Sequence, residues 1–589
     1  MALGTFALER RAPGYRLAKT RDEDGNPSRG PVDITPAPLL IGAIGFGLRL
    51  WLASRTFLNG DEALHFMAAN QPSWQLTYQA SLTISHPPLL IFVLHLWRVL
   101  GTSETMLRLP SVLAGTAFCW VLFQWVTGSL GRGAGILALI LSSFLPSTLA
   151  LATEIRQYAF LLLWVISALY LFDQAVTQNS QTKMLLSSLC LWLAILSHYS
   201  AVLAAAALGA YSLLKLRESR PAPSVVGLWV FGQLGGLLLC LFLYLTYISA
   251  FGHRALNQWM DVYLHSSYFH AHSNHALSFV IARTVSVFQY LAGQPAIGDL
   301  MFLVFLAGMI FLFRAPSGCG LVAVPKRQLT VLLLLPFALC SIAALFDIYP
   351  YGGTRHDAFL LIFALAGVSF GLDRLARRSR YGIAAAIALV IAANVSNGFS
   401  AHRFPYMAGA DESRSHMTES VKFIRKRIPQ NDLLLADTET GLVLGHYLCE
   451  QQPFFINVWT TGFKTLNCGG HQVVVTDGRV FLFTASNFLK SWDEMISRYG
   501  LSSETVWVLQ ERWPWENSLV DQLRTRYPQF RDLRAYSFGN NITLFQLKAS
   551  EAMPAMVRRN QPNQTLDRLA GSPPLGQSAA GSLVSSNNR

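Results

Sequence analysis

The chain has 589 residues, of which 52% are hydrophobic and only 13% charged, against about 25% charged in soluble domains, so it reads as an integral membrane protein. Its formal net charge is +13, yet the basic residues fall in short links between apolar runs. That is the positive-inside pattern of multi-pass proteins, and it argues against a nucleic-acid binder.

Residues 1–37 are polar and mixed in charge, with no apolar stretch ahead of a small-residue cleavage site, and read as a cytoplasmic N-terminal segment without a cleavable signal. The first apolar run, 39–57, ends on LNGDEALHF. This places Asp61 and Glu62 side by side at a membrane edge, with His65 close by and His86 ahead of Pro87-Pro88. Ionisable groups at such a boundary are costly to desolvate and mark functional sites. An acidic pair also suits a helix start, and taken alone the pair supports both readings equally.

Further apolar runs of spanning character cover 107–128, 133–152, 157–176, 184–197, 199–216, 225–250, 297–313, 328–346, 356–373 and 381–398. The run 87–100 is short and opens on two prolines. If it does not cross, every consistently basic link (Arg132; Lys183; Lys215, Arg217 and Arg220; Arg314, Lys326 and Arg327; Arg374 to Arg380) falls on the side of the N-terminus. It is therefore read as an interfacial or re-entrant helix in a first external loop, 58–106. The expected fold is an all-α polytopic membrane protein of about eleven spans, with the N-terminus inside. Asp61, Glu62, His65, His86, Arg108, Glu154, Arg156, His198, Tyr199, Arg355 and His356 then share one membrane face, contributed by four of the five links on that side.

The 251–296 link carries His253, His265, His270, His272 and His275. Their spacing resembles that of metal ligands, but no cysteine or carboxylate run completes a pattern, so the segment reads as an external loop covering the site. Cys119, Cys190, Cys240, Cys319 and Cys340 sit in or near apolar runs as small hydrophobes. Cys449 and Cys468 stand in a polar region and can pair if that region is extracytoplasmic. From about Ala401 to residue 550 short apolar runs (DLLLADT, PFFINV, QVVVTD, VFLFTA, VWVLQE, ITLFQL) alternate with helical stretches, which predicts a C-terminal extracytoplasmic α/β domain. No glycine-rich phosphate loop follows its strands. Residues 551–589, rich in Pro, Ser, Gly, Asn and Gln, read as a disordered tail.

The stretches GDEALHF (60–66), HPPLL (86–90), ETMLRLPSVLAG (104–115) and TEIRQYAFLLL (153–163), with LSHYS (196–200) and GGTRHDAFLL (352–361), occur in that order. In these stretches the chain resembles the GT-C superfamily of membrane glycosyltransferases, nearest to the branch of protein O-mannosyltransferases and the lipid A aminoarabinose transferase. The likeness covers residues 38–400. It implies transfer of a sugar, hexose or pentose, from a polyprenyl-phosphate donor to an acceptor hydroxyl on protein, lipid or cell-envelope glycan. The transfer proceeds with inversion at the outer face of the cell inner (plasma) membrane. The resemblance implies Asp61 as general base, Glu62 as its positioner or as a ligand for acceptor or metal, and Glu154 as orienter of the acceptor. It implies Arg156, Arg355, His86 and His356 as groups facing the leaving phosphate. Arg108 is expected either to pair with Glu62 or Glu154 or to anchor at the interface. His65, His198 and Tyr199 are further candidates, the last two equally explained as an aromatic belt. His356 departs from the tyrosine common after this arginine, and His86 stands where some relatives carry lysine. The branch generally requires no cofactor, while the adjacent carboxylates keep a divalent metal open. The alternatives are a lipid or sugar transporter and an inactive scaffold. The one-sided placement of ionisable groups and the lack of an internal repeat disfavour the first, and the retained Asp61, Glu62, Glu154 and Arg156 disfavour the second.

Overall fold

The computed structural model describes residues 36–249, 264–272, 275–314, 325–378, 382–396, 413–430, 432–456, 461–478, 482–499, 505–512 and 517–548. The expectations for residues 1–35, for His253 and for the 551–589 tail lie outside the described residues.

Among the described residues each of the eleven expected apolar runs is mainly helical. Among the described residues six helices are long and apolar enough to cross a membrane: Pro36–Ala53, Glu104–Leu130, Tyr158–Gln178, Pro223–Ile248, Pro295–Arg314 and Arg327–Leu345. The run 133–152 is not one straight helix. Arg132–Phe144 and Pro146–Thr153 meet at 57°, because Pro146 cannot donate to the Ser142 carbonyl and forces Leu145 into extended backbone (φ −69°, ψ 143°). Arg49, buried in the first helix, repairs the break. It donates to the carbonyls of Ser142 (2.8 Å) and Ser143 (3.1 Å) and to Cys119 Sγ (3.2 Å). Elsewhere small residues let helices close up: a Cβ on Gly308 would lie 2.9 Å from the Gly367 carbonyl, joining Pro295–Arg314 to Leu360–Arg378.

The link read as a loop over 251–296 contains a helix, Ala276–Ala292. Its buried residues (Phe279, Val287, Phe288, Tyr290, Leu291, Ala292) recur at helical spacing, but Arg283 and the polar positions between them keep it from reading as a span. It stops on Gly293 in the left-handed region (φ 72°). The run 87–100 forms a helix, Leu89–Trp97, with one 3-10 turn, Arg98–Leu100. Such a piece covers about 18 Å of a roughly 30 Å hydrocarbon core. Leu90, Ile91 and Leu94 are buried while Val99 is 83% exposed, as a helix lying in an interface requires.

The C-terminal part is an α/β unit on one six-stranded sheet, ordered β2-β3-β1-β4-β6-β5, with β1 Leu433–Ala436, β2 Thr461–Cys468, β3 His471–Gly478, β4 Thr505–Glu511, β5 Ala535–Phe538 and β6 Ile542–Lys548. The short β1 is parallel to both its neighbours and buried throughout. The outer strands are antiparallel hairpins turned by Gly469-Gly470 and Gly539, all at positive φ. Helices Ala485–Tyr499 and Leu519–Arg526 pack on one face, Arg414–Arg427 and Thr438–Tyr447 on the other. Two expected strands differ. Residues 453–456 are irregular and Ala485 opens a helix, while β2 and β5 form from stretches whose polar alternation disguises them as loop. Cys449 and Cys468 form a disulfide.

The two parts share a core. Phe57, Ala63 and Met67 of the first loop pack with Leu442, Val443, Leu466 and Val473 of the α/β unit. Tyr447 accepts the Leu58 N–H (2.8 Å) and donates to Glu104 (3.1 Å), and Asn70 donates to the Gln451 carbonyl (2.7 Å).

Candidate active site

The site lies where several helices start or stop at one end of the bundle. Asn59 caps the helix Gly60–Ala69: its Oδ1 accepts the Glu62 N–H (3.0 Å), and Glu62 Oε2 accepts the Asn59 N–H (3.2 Å). This capping box sets Asp61 and Glu62 in the first turn. Glu62 then turns away from the cleft. Its Oε1 accepts from Ile155 N–H and Arg108 Nε (both 2.8 Å), and its Oε2 pairs with Arg108 Nη2 at 2.5 Å, both side chains fully buried. The other Arg108 donors reach the carbonyls of Ala53, Thr56 and Phe57 at 2.8–2.9 Å. Arg108 thus ties off the end of the first helix. Of its two expected roles, the ion pair with Glu62 is the one found.

Asp61 faces the cleft, with its side chain 23% exposed. Its Oδ2 accepts from Arg355 Nη2 at 2.7 Å and lies 3.3 Å from Arg156 Nη1. Burial alone would raise its carboxyl, but Arg156 and Arg355 outweigh that and hold it well below the usual carboxylate range. Arg156 sits on the turn between Pro146–Thr153 and Tyr158–Gln178, its N–H bonded to the Glu154 carbonyl (2.8 Å). Glu154 itself is the buried cap of Pro146–Thr153. Arg355 opens a 3-10 turn, Arg355–Asp357, braced by the helix the sequence hid. Gly353 N–H donates to Ser286 Oγ (2.8 Å), and a Cβ on Gly353 would lie 2.2 Å from the Ser286 carbonyl. Gly352 N–H donates to Asp357 (2.8 Å). Both guanidiniums lie against the ring of Tyr158, at 5.7 and 6.0 Å.

Four histidines from four segments line one wall. Ring centroids run His65 to His86 (5.8 Å), His86 to His198 (5.7 Å) and His198 to His356 (6.1 Å). His65 Nδ1 contacts the Asp61 carbonyl (2.7 Å), which makes it the donor and leaves Nε2 as a bare acceptor. Burial, reinforced by Arg156, lowers His65 to about 4 and His198 to about 3. Burial also pushes His86 and His356 well down, with Arg156 adding at the first and Arg355 at the second. These are neutral imidazoles at neutral pH, so a phosphate would meet His86 and His356 as N–H donors, not as cations. Tyr199, beside His198, packs against the helical core.

In the 264–275 region His265 and His270 stack at 4.1 Å, while His272 and His275 are exposed. Among the described residues no three His, Cys, Asp or Glu side chains gather in an arrangement that holds a metal ion. Two residues were not legible from sequence. Tyr158 reads as one more aromatic of a span start. Glu439, in the TETGLVL stretch of the α/β unit, carries no motif, yet it is buried against Gly60. A Cβ there would lie 2.1 Å from Glu439 Cγ, so the glycine ahead of Asp61 is what admits it.

Residues 85–245 match the family model of dolichyl-phosphate-mannose-protein mannosyltransferases. The likeness to the GT-C glycosyltransferases holds. The matched stretch takes in His86, Arg108, Glu154, Arg156, His198 and Tyr199, while Asp61 and Arg355 lie on either side of it. Among solved structures, ArnT from Cupriavidus metallidurans bound to undecaprenyl phosphate is 14% identical, with 88% of this chain and 100% of that one covered and a TM-score of 0.49. The Archaeoglobus fulgidus oligosaccharyltransferase is 14% identical over 67% of this chain and 55% of its own, with a TM-score of 0.42. The present chain therefore spans little more than half the length of that relative. The S. cerevisiae protein O-mannosyltransferase Pmt1-Pmt2 complex bound to the sugar donor is 15% identical over 37% of this chain and 34% of its own, with a TM-score of 0.29. No curated protein matches the chain.

Proposed function

We propose that the protein is an inverting glycosyltransferase that moves a sugar from a polyprenyl-phosphate donor to an acceptor hydroxyl at the outer face of the membrane. The observation that carries this reading is one carboxylate, Asp61, set between two guanidiniums, Arg156 and Arg355, at the ends of apolar helices. The two guanidiniums meet in a largely buried pocket, and cations so aimed are what a phosphate leaving group requires. The match over 85–245 supports the same reaction class.

The acceptor oxygen attacks the anomeric carbon from the face opposite the phosphate, and its proton passes to the Asp61 carboxylate. The bond from the anomeric carbon to the phosphate oxygen breaks, and its electron pair leaves with the phosphate, whose added charge Arg156 and Arg355 meet. His86 and His356 donate to it as neutral groups. Glu62 takes the positioning role: with every oxygen engaged it holds Asp61 in register rather than reacting, and for the same reason the adjacent acids offer no chelating pair for a divalent ion. Glu154 remains the group assigned to orienting the acceptor.

The Cys449–Cys468 disulfide supports an oxidising compartment for the α/β unit, and so for the end of the bundle it packs on. The basic links then face the cytoplasm, as expected for an inner (plasma) membrane protein.

The test is donor consumption by the purified protein in lipid nanodiscs, with a panel of radiolabelled polyprenyl-phosphate hexoses and pentoses and mixed acceptors. The native protein should consume one donor, and Asp61→Asn should reduce the rate by about 10²- to 10⁴-fold. Consumption of no donor by the native protein would overturn the reading.

A further inference from the structure

We infer that Asp61 and the donor phosphate occupy the same two arginines in turn, so that donor binding is what releases Asp61 to act as a base. This rests on the donor reading above and adds an order of events to it. Three features of the geometry carry it. Both arginines converge on one oxygen, Asp61 Oδ2, at 2.7 and 3.3 Å, where an anionic ligand would also have to sit. The Arg156 side chain is 3% exposed and its Nε has no hydrogen-bond partner among the described residues, so this guanidinium has donor capacity that a single carboxylate oxygen does not use. The Asp61 backbone is fixed by the Asn59–Glu62 capping box and by the Arg108 hub, whereas the long arginine side chains rest on the flat face of Tyr158 and can re-aim without losing it.

The chemistry requires such an exchange. A carboxylate between two guanidiniums is a poor proton acceptor, and it lies well below the usual range in this arrangement. A phosphate with more oxygens and more charge draws both arginines away, and the carboxylate regains its basicity once the leaving group is in place. A hydroxyl meets a competent base only once the donor is bound, whichever of the two arrives first.

The experiment measures binding of decaprenyl phosphate, carrying no sugar, to the full-length protein in nanodiscs without acceptor. Asp61→Asn should bind the probe about tenfold more tightly than the native protein, because the competing anion is gone. Arg355→Ala should bind it more weakly, and the double variant should lose the gain. Equal or weaker binding by Asp61→Asn, with the native protein still binding, overturns the exchange and leaves the donor reading standing. Absence of binding by the native protein overturns both. A second measurement needs no variant: carbodiimide modification of Asp61 in the native protein, followed by peptide mass spectrometry. Labelling should rise severalfold when the probe is bound. Unchanged or reduced labelling would sink the exchange, because a merely occluding ligand protects the residue.

Discussion

Asp61 and Glu62 are neighbours in the chain and opposites in the fold. Glu62 is fully buried, and its oxygens are taken up by Arg108, the Asn59 N–H and the Ile155 N–H. Asp61 is partly open, and two arginines touch it through one oxygen. A saturated pair of charges fixes a geometry, whereas a carboxylate held through a single oxygen at an open cleft can exchange partners. The helical period produces the split: successive residues point about 100° apart, so one carboxylate enters the wall and the next faces the cleft.

The largest expected effect is on the saturated side. Arg108→Ala leaves Glu62 buried without its cation and should destabilise the protein by about 3–5 kcal/mol, read as loss of folded protein or a lowered Tm in detergent. Asp61→Asn should cost much less stability, on the order of 1 kcal/mol for a partly solvated pair, while abolishing most activity. If both variants lose stability equally, the contrast between the two acids fails.

Gly60→Ala comes next. It forces a methyl into Glu439 and should cost about 1–3 kcal/mol by overpacking. Glu439→Ala in the same chain should restore most of that loss, since the obstructing side chain is then removed. Failure of the double variant to recover would show that Gly60 is needed for its backbone and not for the contact.

The smallest effect is in pH dependence. His198 is lowered to about 3 against an unfolded value near 6.5. Between those values the unfolded chain holds the extra proton, so this histidine's share of stability is complete above about pH 6.5 and declines as pH falls. His198→Asn should flatten the acid limb of a stability profile by about 1.4 kcal/mol per pH unit in that window. Asp61, lowered by its two arginines, adds no slope above about pH 5 but adds slope of the same sign below it, so the His198 window is read above that value. Asp437 in the α/β unit, raised to about 6 by burial, works in the opposite sense and makes the difference between native and variant, not the native profile alone, the quantity to measure.

Much of the site was legible because its residues sit at apolar-run boundaries. A carboxylate, arginine or histidine stands out against a membrane helix, and the order of GDEALHF, HPPLL, LRLPS and TEIRQY narrows the reaction. The Ala276–Ala292 helix was not legible. Its amphipathic pattern, set among histidines, lacks the uniform apolarity that announces a span, although it braces the Arg355 turn through Ser286. Glu439 was hidden for a different reason: an acid near the start of a soluble helix is unremarkable until the fold lays it on Gly60.

By itself the sequence determined the membrane architecture, the helical runs, the appended α/β unit and the roster of ionisable residues, since hydropathy and period are local properties read directly from residue order. Only the tertiary structure decided which acid is bound and which is poised, which arginines meet Asp61, and that four histidines share a neutral wall. Those outcomes depend on distances between segments up to nearly 300 positions apart, where packing and desolvation set the charge each group carries.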